Sequence, residues 1–150
     1  MSEYHVTVAW QRASKDFTYE SYNRNHVWRI GKNTVIEASA APEYRGDGER
    51  LDPEEALVAS LSSCHMLTFL AIAARKRVGV DSYEDDAVGY MEKNEHGKLW
   101  VARVILRPRI RFMAGANVTR EQLDQMHHHS HLECFIANSV KTAVTVEPRE

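Results

Sequence analysis

Residues 52–77 read DPEEALVASLSSCHMLTFLAIAARKR, and this stretch decides the fold. Asp52 is a strong N-cap residue, Pro53 suits the first helical position, and Glu55 stands three after the cap, where its carboxylate reaches back to the cap N–H. From Glu54 to Arg77 there is neither Gly nor Pro. Leu57, Leu61, Met66, Leu67, Leu70 and Ala74 recur near helical spacing, and most other positions are small or apolar. The spacing predicts one long helix over 54–77, buried on more than one side. Arg75, Lys76 and Arg77 complement a helix C-terminus, and Gly79 is expected to end the element.

On the N-terminal side, YHVTVAW (4–10), DFTYESYN (16–23) and HVWRIGKNTVIEAS (26–39) read as strands, the last with a turn near Gly31 to Asn33. AAPEYRGDGERLD (40–52) reads as loop, punctuated by Pro42, Gly46 and Gly48. On the C-terminal side, 82–93 and 98–112 predict a hairpin around Asn94, His96 and Gly97, and Pro108 predicts an edge or a bend. Glu84, Asp85 and Asp86 read as a solvated turn. Thr119, with Gln122 at the reciprocal position, caps a second helix expected over 119–139. TAVTVE (142–147) closes as a strand before Pro148. The order predicts an α+β fold in which two helices pack against antiparallel sheet.

Composition narrows the function classes. The chain has 150 residues, 43% hydrophobic and 27% charged, with a formal net charge of -2. That fits a single domain over 1–150 with a real core. No basic stripe marks it for nucleic acid. No signal-like run opens it, and no stretch reads as long and apolar enough to cross a bilayer, so a cytoplasmic location is expected. No cofactor is called for.

There are two cysteines, Cys64 and Cys134. In a reducing compartment such a pair is more often free, redox-active or metal-binding than a structural disulfide. A single helical cysteine is commonly a small buried core residue. Here each is expected on a helix of its own, beside polar residues.

DPEEALVASLSSCHMLTFLAIAA resembles the Pro-Glu-Glu … Ser-Cys-His signature on the central helix of the OsmC/Ohr family. HLECFIANSVKTAVTVEP resembles that family's second-cysteine helix and closing strand. The resemblance implies an intertwined homodimer with two central helices. It implies an organic hydroperoxide as substrate, and a small or protein dithiol as reductant. Cys64 is then the peroxidatic residue and Cys134 the resolving one, with a sulfenic acid and a disulfide as intermediates. Leu61, Leu67 and Phe69 near Cys64 suggest room for an alkyl peroxide.

The family's thiolate is served by an arginine oriented by a glutamate. Glu54 matches the glutamate, and two arginines match the other position: Arg45 that of the OsmC branch, Arg24 that of the Ohr branch. Glu54 stands ten positions before Cys64. Ten residues of straight helix span ~15 Å, so Glu54 is expected to serve the cysteine of a partner chain. Two departures from the family pattern stand out. Phe135 follows the second cysteine where proline is common, and His65 follows the first, as is common in one less characterised branch, which this chain resembles best.

His127, His128, His129 and His131 precede Cys134. On a helix, His127, His131 and Cys134 fall on one face. That face reads as a polar boundary, as a means for His131 to tune the Cys134 thiolate, or as Zn²⁺ ligands joined by Cys64 or His65. Trp10, Trp28 and Trp100 are expected in packing.

Overall fold

In the computed structural model, which describes all 150 residues, the chain starts with three short strands. These are β1 (Val6–Ala9), β2 (His26–Ile30) and β3 (Thr34–Ala38), paired antiparallel in that order. Trp28 stands opposite Val8 on one side and Ile36 on the other. The β2–β3 turn works because Gly31 takes φ 61, the left-handed region open to glycine. These strands belong to a compact unit, Met1–Ala56; a second comprises Leu57–Glu150.

The strand expected at 16–23 does not form. Thr18 and Ser21 spend their hydroxyls on each other and on local backbone, closing a turn in place of a ladder. The Phe17 and Tyr22 rings instead pack edge-on against Trp10, with centroids 5.9 and 6.4 Å away. In the following loop, a Cβ on Gly46 would lie 1.5 Å from the Ala40 carbonyl oxygen, so no larger residue fits there.

Helix α1 spans Pro53–Arg75. Its capping box is complete: the Glu55 N–H donates to Asp52 at 2.8 Å and the Asp52 N–H donates to Glu55 at 3.2 Å. The helix ends through Arg77, which turns left-handed at φ 59, and not through Gly79. Gly79 is small for a different reason: a Cβ there would meet Met113 Sδ at 2.5 Å. The buried stripe is Leu61, His65, Phe69, Ile72 and Ala73, while Leu67 is exposed. The view that no stretch could cross a bilayer needs correction. By length and composition α1 can, with a mean hydropathy of 1.8 over 18 residues. Its stripe is nevertheless spent on the two cores described below.

The second unit continues with β4 (Val80–Asp85), β5 (Val88–Lys93), β6 (Leu99–Leu106), β7 (Pro108–Phe112), α2 (Arg120–Glu133) and β8 (Ala143–Val146). The predicted hairpin holds for β5 and β6, joined through Asn94, whose Oδ1 accepts from the His96 and Lys98 N–H groups. β4 pairs antiparallel with β7, which starts at Pro108 where the chain breaks from β6. Asp85 is no solvated turn residue: it accepts from the Arg107 N–H at this break and from the Ser62 hydroxyl of α1. The expected α+β fold with antiparallel sheet holds for every strand pair but one: β8 lies parallel to β6.

Two cores hang on α1. Phe69, Ile72 and Ala73 pack with Met126 and Leu123 of α2 and with Tyr83, Ile110 and Phe112 of β4 and β7. Leu61 packs with Val104 and Leu106 of β6 and Val144 and Val146 of β8. Leu61 and Phe69 are thus core residues, not the lining of a peroxide pocket.

Candidate redox site

Cys64 sits in mid α1, half-buried, and Cys134 is 1% exposed; both are free thiols. The second helix stops earlier than its sequence suggests. It ends at Glu133, and Cys134 is its C-cap with extended backbone (φ -69, ψ 116). Asn138 terminates it, its side-chain amide donating to the Leu132 and Cys134 carbonyls at 2.9 and 3.0 Å. A short 3₁₀ turn, Ala137–Ser139, follows, and the Ala137 N–H donates to Cys134 Sγ at 3.5 Å. The fold thereby brings the two sulfurs together. Burial pushes the Cys134 thiol up, and hydrogen bonding and charge interaction with adjacent Cys64 push it further, against the lowering pull of the Ala137 N–H.

Arg24, Arg45 and Glu54 belong to the first unit. Arg24 is 9% exposed. Its guanidinium donates to the Tyr19 and Tyr22 carbonyls and lies over the Tyr22 ring, 3.6 Å from the centroid. It lines a cavity of about 530 Å³ together with Glu54, Trp10, Phe17, Tyr22 and Tyr44. Arg45 is exposed, at a left-handed position with φ 66. Its guanidinium reaches only the outer Tyr19 ring, at 5.7 Å, and it does not line that cavity.

The histidines do not form the ligand face that is one of three readings of their spacing. No three His, Cys, Asp or Glu side chains converge as a ligand set, and Cys134 has left the helix that was to align it with His127 and His131. Instead His65 and His127 form a buried pair, unforeseen from sequence. His65 Nε2 and His127 Nδ1 are 3.0 Å apart, and the rings stack with 5.3 Å between centroids. The signal lay in spacing: His65 stands four after Leu61 and four before Phe69, in the middle of the buried stripe.

Burial pushes both histidines down to about 4, with the other imidazoles adding to the effect at His65. Between about pH 4 and 6.5 the unfolded chain therefore binds protons that the folded chain refuses. Stability is complete above 6.5 and is lost as pH falls. Urea denaturation in a chelating buffer is expected to show stability falling from pH 7 to 5. The slope should approach, at most, about 2.7 kcal/mol per pH unit for two protons. A flat profile across that window would contradict the buried neutral pair.

Comparison with known proteins fits this architecture. Residues 46–149 match the family model described as OsmC-like protein. An OsmC-like protein of unknown function from Vibrio cholerae is 47% identical, with a TM-score of 0.95 over 99% of this chain and 100% of that one. An organic hydroperoxide resistance protein from Elizabethkingia anophelis superposes with a TM-score of 0.73 at 15% identity, over 99% and 98% of the two chains. The organic hydroperoxide resistance protein OhrB of Bacillus subtilis does so with 0.71 at 16%, also over 99% and 98%. At those identities the likeness is one of fold. No curated relative matches the chain at the sequence level. With two thirds of its length matched by the family model and a 47% identical relative along its whole length, the chain belongs to the OsmC-like family.

Proposed function

We propose that this protein reduces organic hydroperoxides at Cys64, with Cys134 as the resolving thiol, and that it works as a homodimer. The observation that carries the reading is the meeting of the only two cysteines, one from mid α1 and one from the cap of α2. Burial holds Cys134 as a thiol at rest, so the half-exposed Cys64 is the sulfur a peroxide can reach.

The Cys64 thiolate attacks one oxygen of the peroxide. An S–O bond forms, the O–O bond breaks, and the alkoxide leaves as the alcohol once it takes a proton. Cys134 then attacks the sulfenic acid. The S–S bond forms, and the hydroxyl leaves as water with the proton from Cys134. A small or protein dithiol reduces the disulfide by exchange. A cytoplasmic setting suits sulfurs that must be reduced again after every turnover.

Arg24 supplies the cation, held by the Tyr19 and Tyr22 carbonyls, and Glu54 supplies a carboxylate to the same cavity wall. Since ten helical residues span ~15 Å, they act on Cys64 of the partner subunit. The aromatic wall around them favours an alkyl or aryl peroxide over hydrogen peroxide.

One equivalent of cumene hydroperoxide is expected to consume both thiols of the reduced protein, counted with a thiol reagent, and to leave an intrachain disulfide detected by mass. Thiols that survive many equivalents would overturn the reading.

A further inference from the structure

We propose that His127 and His131 form a binding site for one divalent transition cation, such as Zn²⁺ or Ni²⁺, independent of both cysteines. The two residues stand one turn apart on α2 and share a face. Both line a cavity of about 440 Å³ walled on the far side by Val144 and Val146 of β8. His127 Nε2 and His131 Nδ1 are each buried, and each lacks a hydrogen-bond partner. His127 as a residue is only 3% exposed. A buried polar nitrogen left unpaired is destabilising, so two such atoms in the wall of one cavity point to an occupant that both can bind.

The chemistry of the pair selects a cation. Metal-bound histidines typically use their second nitrogen to anchor the ring on a neighbouring group. His127 has that arrangement: Nδ1 is engaged with His65 Nε2 at 3.0 Å, and the rings lie 13° from parallel. The tautomer that carries the proton on His127 Nδ1 and donates it to His65 Nε2 leaves a bare lone pair at His127 Nε2, the form a cation would select. Imidazole nitrogen suits Zn²⁺, Ni²⁺ and Cu²⁺, whereas Mg²⁺ and Ca²⁺ seek oxygen. The one arginine on this cavity, Arg120, is tied to Asp124 at 2.9 Å, which offsets its charge toward an incoming cation. Asp124 and His128 share the cavity wall, but no three His, Cys, Asp or Glu side chains converge as a ligand set, so the remaining positions stay open to water or an added ligand. That distinguishes the site from a closed structural zinc centre.

The test is calorimetric titration of the full-length reduced protein with Zn²⁺, beside a Co²⁺ titration read by absorption. The expected result is one equivalent bound, with a Co²⁺ spectrum free of thiolate charge-transfer bands. His131→Gln, at a half-buried position, should keep the fold by circular dichroism and weaken binding about tenfold or more. His129→Gln, which faces a different cavity, should leave binding unchanged. No saturable binding, a thiolate band with Co²⁺, or affinity that survives His131→Gln would each overturn the proposal.

Discussion

Replacing Cys64 by serine is expected to abolish peroxide turnover, by at least about 10³-fold, the scale of losing a nucleophile outright. Serine keeps the shape of the side chain but offers no thiolate to break the O–O bond. The variant should fold, because Cys64 is half-buried and belongs to neither of the two cores. Cys134→Ser should behave differently. Its first oxidation should proceed, leaving a sulfenic acid on Cys64 that dimedone traps, while multiple turnover collapses for want of a resolving partner. Steady-state assays with cumene hydroperoxide and a dithiol, paired with mass analysis of the trapped adduct, distinguish the two. Equal turnover in wild type and Cys64→Ser would remove Cys64 from the chemistry.

The second large effect concerns the arginines. Arg24→Ala is expected to lower kcat/KM about 10²–10³-fold, the usual consequence of removing one preorganised charge donor. Arg45→Ala should change it only a few-fold. Two carbonyls and the face of Tyr22 hold Arg24 in one orientation, so its charge is ordered before substrate arrives. Arg24→Lys should fail to restore activity, since an ammonium cannot stack and fork in the same way. If Arg45→Ala proves the damaging change, the aromatic cavity of the first unit is not where the peroxide binds.

Much of this was legible in the sequence. The capping box at Asp52 and Glu55 and the run without breakers delimited α1, because capping and propensity are local. The family signature lay along the same segment. What sequence could not choose was the face. α1 is apolar on nearly all sides, so periodicity offered Leu67, which is 61% exposed, as readily as Phe69, which is 0% exposed. The buried stripe instead runs through a histidine, a residue that hydropathy ranks as polar, and its partner lies sixty-two positions on.

The end of α2 was misread because HLECFIAN holds neither Gly nor Pro. The stop is made by the Asn138 side chain reaching back over two carbonyls. Residues 16–23 looked like a strand because aromatic and hydroxyl residues favour strands, yet the hydroxyls close a turn and the rings pack on Trp10. Period-two alternation announced β8 but not its neighbour, so its parallel pairing with β6 had no signature. Of the two arginines, the motif leans to Arg45; the preference for Arg24 in the proposed mechanism rests on its burial, which motif position does not reveal.

That Cys134 caps its helix instead of riding inside it bears on how the protein can move with its oxidation state. A sulfur within the α2 ladder could shift toward Cys64 only by breaking helical hydrogen bonds. From the cap, its backbone lies in the extended region and is followed by a short 3₁₀ turn. The torsions that a disulfide demands can be absorbed over residues 134–140, while Arg120–Glu133 stays wound. Amide exchange in the reduced and oxidised protein is then expected to differ across residues 134–140 and to match along Arg120–Glu133.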